Sequence, residues 1–377
     1  MLKLSLRGPS ALLHSAITRL SPALFPVTPS ITRLTSKSIL SVSGSQAPEF
    51  LNGLLSSTIP TPGRPFFSAV LNAQGRVLYD LLVFSDHTIN GRPAYLLEYD
   101  HVSATDVPPL YDLLRRYVLR AKVKIRDVSH EYDSWAAWNP KQNEQWDTQR
   151  NWFVAESGAI VPIWSNASND WPWGSQEHII RDRRAIGMGY RLLVRKGDEP
   201  LHASNHDRVL EDAYNIHRII HGVPEGHVDI TPNVAFPMDS NLDLMGAIDF
   251  KKGCYVGQEL TVRTYHKGVI RKRTVPVLLQ SSDSEADELE DVHGTFAADV
   301  DITPSIVADG SRARPRGSGK LLSSCYGLGL ALLRSEHVEG VMARNLELNF
   351  MSGSGTKWSV TPLWPEWWPQ NPQHPQL

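Results

Sequence analysis

Apolar and polar positions begin to alternate clearly at Ile39, and from there the chain divides into short strands separated by single helices. Ser38-Ile-Leu-Ser-Val-Ser43 predicts a strand, Ala47 to Leu55 a short helix, and Phe66 to Leu71 a second strand after proline-rich turns. Asn72-Ala-Gln-Gly-Arg76 predicts a hairpin, because Asn and Gly supply the dihedrals of tight turns. Val77 to Phe84 and Ala94 to Tyr99 extend the same sheet. Pro108 and Pro109 open a helix that places Leu110, Leu113, Leu114, Tyr117 and Val118 on one face, and strands at Lys122 to Val128 and Ser134 to Trp138 follow.

Residues 139–178 are polar and rich in tryptophan, with no dominant period. Trp146, Trp152, Trp164, Trp171 and Trp173 suit a binding surface, a set of core anchors or an insertion equally well. Asp182 to Leu192 reads as a turn into a strand, and Val209, Ala213, Ile216 and Ile220 share a second helical face that Gly222 and Pro224 terminate. Two related halves of hairpins and single helices define an α+β class over residues 39–272. Beyond it, short strands such as Thr274 to Leu279 and Leu328 to Leu333 predict a separate small β-barrel over 273–361, interrupted by solvated insertions at Asp283 to Asp291 and Asp309 to Gly319. The tail, 362–377, is expected to be irregular, with Trp364, Trp367 and Trp368 packing back onto the protein.

Composition changes the picture at the N-terminus. Lys3, Arg7, Arg19, Arg33 and Lys37 lie among serines and leucines with no acid before Glu49, the composition of an organellar transit peptide, so residues 1–38 are expected to be a mitochondrial leader outside the fold. The formal net charge of -2 gives no general case for a nucleic-acid or membrane partner. No run approaches the ~20 consecutive apolar residues of a membrane span. The two cysteines, Cys254 and Cys325, form neither a disulfide framework nor a CxxC metal knuckle, which fits a reducing compartment.

Candidate chemistry centres on Cys254, set between Lys251, Lys252 and Gly253 on one side and Tyr255, Gly257, Gln258 and Glu259 on the other. Neighbouring ammonium groups favour a thiolate, and glycines permit a tight turn that presents it. The residues alone leave open a reactive thiol or a small buried hydrophobe. The basic run Arg263, Lys267, Arg271, Lys272 and Arg273, with His266, reads either as a solvated strand or loop, or as an electrostatic dock for an acidic partner or the glutamate tail of a folate.

The segment Lys252-Gly-Cys-Tyr-Val-Gly-Gln-Glu259 resembles the signature of the YgfZ family, which is related to the folate-dependent T-protein of glycine cleavage. Its continuation to Arg273 resembles the mitochondrial Iba-type branch of iron-sulfur cluster assembly factors. Phe50-Leu-Asn-Gly-Leu54, Leu71-Asn-Ala-Gln-Gly-Arg-Val77, His221-Gly-Val-Pro-Glu-Gly226, Asn241-Leu-Asp243 and Gly329-Leu-Ala-Leu-Leu333 match in family order. The resemblance implies two interleaved α+β subdomains, one ferredoxin-like, and a C-terminal barrel around a central folate-type pocket. It also implies a late step of [4Fe-4S] assembly in the mitochondrial matrix with A-type carrier proteins, Cys254 being the metal-facing thiolate. Because such clusters take about four protein ligands, a chain with this cysteine usage would share the cluster with a partner. Tyr255, Gln258 and Glu259 would then orient the thiolate through hydrogen bonds.

Tetrahydrofolate is the small-molecule cofactor that the resemblance implies, with Asn72, Arg76, Asp80 and Arg263 as candidate contacts. Relatives that transfer a one-carbon unit carry paired aspartates where this chain has Tyr79-Asp80, which speaks against aminomethyl transfer. The rival reading remains a tetrahydrofolate-dependent aminomethyl- or methyltransferase. A cysteine-nucleophile enzyme with His266 as base is a weaker third.

Overall fold

The computed structural model describes residues 24–369 apart from 25, 61–62, 88–90, 92, 102–106, 140–149, 165–170, 282–295, 308–316 and 366. Most of the expected leader, Trp146, the insertion at Asp283 to Asp291, most of that at Asp309 to Gly319 and the last eight residues of the tail therefore lie outside the described residues.

Two sheets are built from alternating pieces of chain. The first contains β1 (Ser30–Leu34), and the second contains β2 (Lys37–Ser43), β3 (Phe66–Leu71), β4 (Val77–His87), β5 (Pro93–Asp100) and β6 (Lys124–Asp127) in the order β3-β4-β5-β2-β6. The chain then returns to the first sheet with β7 (Tyr132–Trp138), and a separate ribbon pairs β8 (Arg150–Val154) with β9 (Ile160–Trp164). β10 (Ile179–Arg181), β11 (Tyr190–Arg195) and β12 (Asp207–Arg208) complete the first sheet in the order β10-β11-β7-β1-β12. This crossing of the chain is the interleaving that the resemblance implies. Helix α1 (Ala47–Asn52) follows β2, and α2 (Leu110–Val118) buries Leu110, Leu113 and Leu114 but leaves Tyr117 exposed. The hairpin between β3 and β4 closes where Asn72 N donates to Arg76 O at 2.8 Å.

After β12 come α3 (Glu211–Ile220), α4 (Gly226–Asp229) and α5 (Gln258–Lys267). Six strands then close a barrel in the order β13-β16-β15-β14-β17-β18: β13 (Lys272–Ser281), β14 (Val300–Ile306), β15 (Gly319–Cys325), β16 (Leu328–Arg334), β17 (Leu346–Met351) and β18 (Lys357–Pro362). Helix α6 (Ser335–Met342) connects β16 to β17. Ile216, Ile219 and Ile220 of α3 pack on Leu278, Leu322, Leu328 and Leu330 of the barrel wall, with Leu24 in the same cluster. The tail folds back: Trp368 is buried, and the Trp367 indole donates to His221 O at 3.1 Å.

Two expectations need revision, and one open reading gains a structure. β1 lies within the segment assigned to the leader, yet it runs antiparallel to β7 and parallel to β12, with Ile31 and Leu34 buried. A leader ending at 38 would remove a strand from the inside of a sheet, so the folded protein begins well before Ile39. The basic run after the signature is not a strand or loop over its first half but α5. The tryptophan-rich stretch contains the β8-β9 ribbon, whose Trp152 meets Trp367 at 6.0 Å between ring centroids.

Burying two large aliphatic side chains contributes about 3–6 kcal/mol. A chain starting at residue 39 should therefore melt well below one starting at residue 22, or fail to fold. Thermal denaturation of the two truncations checks this; equal melting temperatures would return β1 to the leader.

Candidate functional site: the Cys254 loop and its supports

Cys254 is exposed, on the loop that leads into α5. The loop is fastened along its length. Ser56 and Ser57 hydroxyls both donate to Ala247 O at 2.7 Å, Asp249 N donates to Ser56 O at 3.0 Å, and Val256 N donates to Gly53 O at 3.1 Å. Phe250 stacks on Tyr265 of α5 with 4.0 Å between centroids, so the two ends of the segment are clamped together. The Lys252 ammonium donates to three carbonyls at and beyond the C-terminal end of α1: Asn52 at 2.8 Å, Leu55 at 2.7 Å and Ser57 at 2.9 Å. It also lies 5.0 Å from the centre of the Tyr255 ring. Burial, against the attraction of Asp249, lowers this amine to about 8. Lys252 thus has a second part to play, fastening the thiol loop to backbone oxygens at the end of α1.

Gly257 and Gly253 play different parts. Gly257 has φ 82°, and a Cβ there would come within 2.3 Å of Asn72 O, so the loop touches the β3-β4 hairpin through a position only glycine can occupy. A Cβ on Gly253 would meet nothing within 4 Å, so this glycine is not required by close approach and borders open space beside the thiol. Tyr255 is buried, and its hydroxyl is pushed up to about 12 by burial, partly offset by Thr261. Gln258 and Glu259 begin α5, and the exposed Glu259 complements the helix N-terminus. Three of the quoted motifs therefore meet in space: the end of α1, the hairpin tip and the signature.

The basic run divides. Arg273 is buried and makes two contacts with Asp243, at 2.9 and 3.0 Å, and the same two nitrogens, Nη1 and Nη2, also donate to Met238 O and Gly158 O respectively. Arg263, His266, Lys267 and Arg271 are exposed. His266 lies eight residues into α5, roughly 12 Å along its axis, which does not make it a base for Cys254. Cys325 ends β15, buried, its thiol pushed up to about 12 by burial.

The four folate candidates fall in three places. The Asn72 carboxamide oxygen caps its own turn by accepting from Gln74 N and Arg76 N, and Arg76 lies over the Phe236 ring at 3.4 Å with a hydrogen bond to Val234 O. Asp80, four residues further along β4 and so about 13 Å away, accepts from Gly226 N at 3.2 Å. Arg263 stands on the solvent side of α5. Tyr79 points to the opposite face of β4 from Asp80, and its hydroxyl donates to Pro108 O at 3.0 Å.

Asp80 instead borders a buried ionic network that sequence reading did not find. The Glu225 carboxylate accepts from Lys37 at 2.5 Å, Arg184 at 2.6 Å, Arg191 at 2.8 Å and the Tyr214 hydroxyl at 2.6 Å. Arg191 also pairs with Glu98 at 2.7 Å, Arg184 with Asp182 at 2.6 Å, and Lys37 with Asp100 at 2.7 Å. Burial alone would raise the Glu225 carboxyl, but Arg191, Lys37 and Arg184 outweigh it and hold it well below the usual range. For Asp80 burial prevails over Lys37, and the carboxyl rises to about 6. Gly226 is required here, since a Cβ would lie 1.9 Å from Asp100 Oδ2.

Comparison with known proteins agrees with this architecture. The glycine cleavage system aminomethyltransferase T from Bartonella henselae superposes with a TM-score of 0.59 over 92% of this chain and 87% of its own, at 16% identity. Residues 271–370 match the CAF17 C-terminal beta-barrel domain. Fold and barrel together define a protein of the aminomethyltransferase T fold with a CAF17-type barrel. Two relatives, each named iron-sulfur cluster assembly factor IBA57 homolog, mitochondrial, narrow the class. The one from Cryptococcus neoformans var. neoformans is 38% identical over 331 residues, covering 82% of this chain and 85% of the relative. The one from Pyricularia oryzae is 35% identical over 311 residues, covering 82% and 72%. The chain belongs to the IBA57 family of mitochondrial iron-sulfur cluster assembly factors.

Two substitutions test the supports. Lys252→Ala leaves three carbonyls without their donor and should cost about 2 kcal/mol of stability, measured by denaturant unfolding; an unchanged midpoint would show that the clamp does not hold the loop. For Asp80, the folded carboxyl titrates near 6, above its ordinary 3.8, so the native state binds the extra proton between these values and wild type loses stability as pH rises through them. Relative to Asp80→Asn, wild type should weaken by roughly 3 kcal/mol between about pH 4 and pH 7. Parallel unfolding curves across that range decide it, and a constant difference would refute the buried-acid assignment.

Proposed function

We propose that this protein works in the mitochondrial matrix as an assembly factor for [4Fe-4S] proteins, with Cys254 as its single ligand to a cluster shared with an A-type carrier. The exposed thiol on a clamped loop carries the reading. A cluster ligand must reach iron held by another molecule, so it has to be exposed, yet held where the partner's ligands can meet it. Cys254 combines exposure with a base fixed by Lys252, Gly257 and the Phe250-Tyr265 stack.

The chemistry asks little else of the chain. No group of three or more His, Cys, Asp or Glu side chains suited to a metal occurs among the described residues, so the remaining ligands would come from the carrier. A cluster bound by one thiolate from one side and by partner ligands from the other is open to exchange, which suits transfer better than storage. Buried Cys325 offers no second ligand. No step of this function passes through a folate.

Cys254→Ser should abolish formation of the cluster-bridged complex with a [2Fe-2S]-loaded A-type carrier, because the hydroxyl stays protonated near neutral pH and is a poor iron ligand. Its melting temperature should match wild type, since the thiol is exposed. Cys325→Ser should retain cluster sharing. Visible absorbance and circular dichroism of each variant mixed with the carrier give the answer. A wild-type yield from Cys254→Ser would end the shared-ligand mechanism.

A further inference from the structure

Helix α5 exposes Glu259, Arg263, His266 and Lys267, which recur at the i, i+4, i+7 and i+8 spacing of one helical stripe, while Thr261 is buried and Tyr265 is held against Phe250. Lys251 precedes the thiol and Arg271 follows the helix, both exposed. None of Lys251, Arg263, Lys267 and Arg271 has an ion-pair partner among the described residues, which is also true of the exposed Arg115, Arg116, Arg120, Lys122 and Lys124 from α2 to the start of β6, whereas exposed Arg126, Arg195, Lys196 and Arg208 are paired with acids. What sets the group on and around α5 apart is its place in the chain, within twenty residues of the exposed thiol.

Their position matters energetically. Screening limits exposed charges to about 8 Å at physiological ionic strength, so a partner feels these cations only when it lies along α5 itself. An iron-sulfur core ligated by thiolates carries net negative charge, and a cationic stripe beside the thiol loop is matched to an acidic rim around such a core. Cationic side chains that lack partners in the free protein also need not break an ion pair to form a new one.

We propose that the solvent stripe of α5, extended by Lys251 and Arg271, is the electrostatic docking surface for an acidic face of the cluster-carrying protein. This rests on the proposed role of Cys254 and adds the partner's chemistry to it. The stripe speeds encounter and sets the orientation in which the thiol meets the cluster, and the cysteine forms the bond.

The test uses full-length mature protein and a [2Fe-2S]-loaded A-type carrier, following complex formation by stopped-flow visible circular dichroism over a range of salt. Wild type should associate about tenfold faster than Lys267→Glu/Arg271→Glu at low ionic strength, and the two rates should converge at high salt. Lys267→Gln/Arg271→Gln should lie between them, with all three melting alike. If wild type forms no complex, the shared-cluster reading fails and the docking surface falls with it. If wild type forms it and the variants associate at the same rate and salt slope, only the docking surface is overturned. Loss of binding to anionic lipid vesicles in the charge-reversed protein, with carrier association unchanged, overturns it in favour of a membrane surface.

Discussion

One buried carboxylate holds the two interleaved sheets together. Glu225 receives Lys37 from the start of β2, Arg184 from the turn before β11, Arg191 from β11 and the hydroxyl of Tyr214 from α3. A charge taken from water costs several kcal/mol unless its new partners replace the lost hydration, and here three cations and a phenol do so. The network is cooperative in a strict sense: without Glu225, three cations would remain buried with one partner fewer each. It therefore ties β2 and β5 of one sheet to β11 of the other.

The reactive loop stands on this frame. Asp80 of β4 touches the backbone at Gly226, next to Glu225, and the same strand runs back to the hairpin that Gly257 contacts. The thiol is thus joined to the ionic centre by a single strand and one close backbone approach. Lys252 anchors the other side of the loop to the segment after α1. The site is stiff because its supports come from three separate parts of the chain, and the exposed residues of α5 are free to meet a partner because Tyr265 and Thr261 do the packing.

Much of this was legible in the sequence and some of it was not, for identifiable reasons. Continuous apolar runs identified β3 and β4 and their hairpin, since both strands are buried on both faces and turn on Asn and Gly. β1 was hidden because its surroundings, basic and free of acid, match a leader's composition, and only pairing with β7 and β12 reveals its burial. α5 was missed because its buried face is narrow, essentially Thr261, without the apolar stripe that marks a helix. The role of Lys252 depends on carbonyls about 200 positions away, and the Glu225 network on residues spread from 37 to 225, so neither leaves a local pattern.

The pairing of β1 with β12 joins Ser30 to Asp207, and β7 flanks it on the other side. A strand near the N-terminus is among the first parts of the chain to emerge, both from a ribosome and from a membrane pore, yet its two neighbours are supplied much later. Until then its unpaired backbone and the side chains of Ile31 and Leu34 stay open to any other strand edge, and closure must wait for a long loop to be ordered. The interleaved topology thus makes maturation of the polypeptide itself a slow event of high contact order, completed only once residue 207 has arrived.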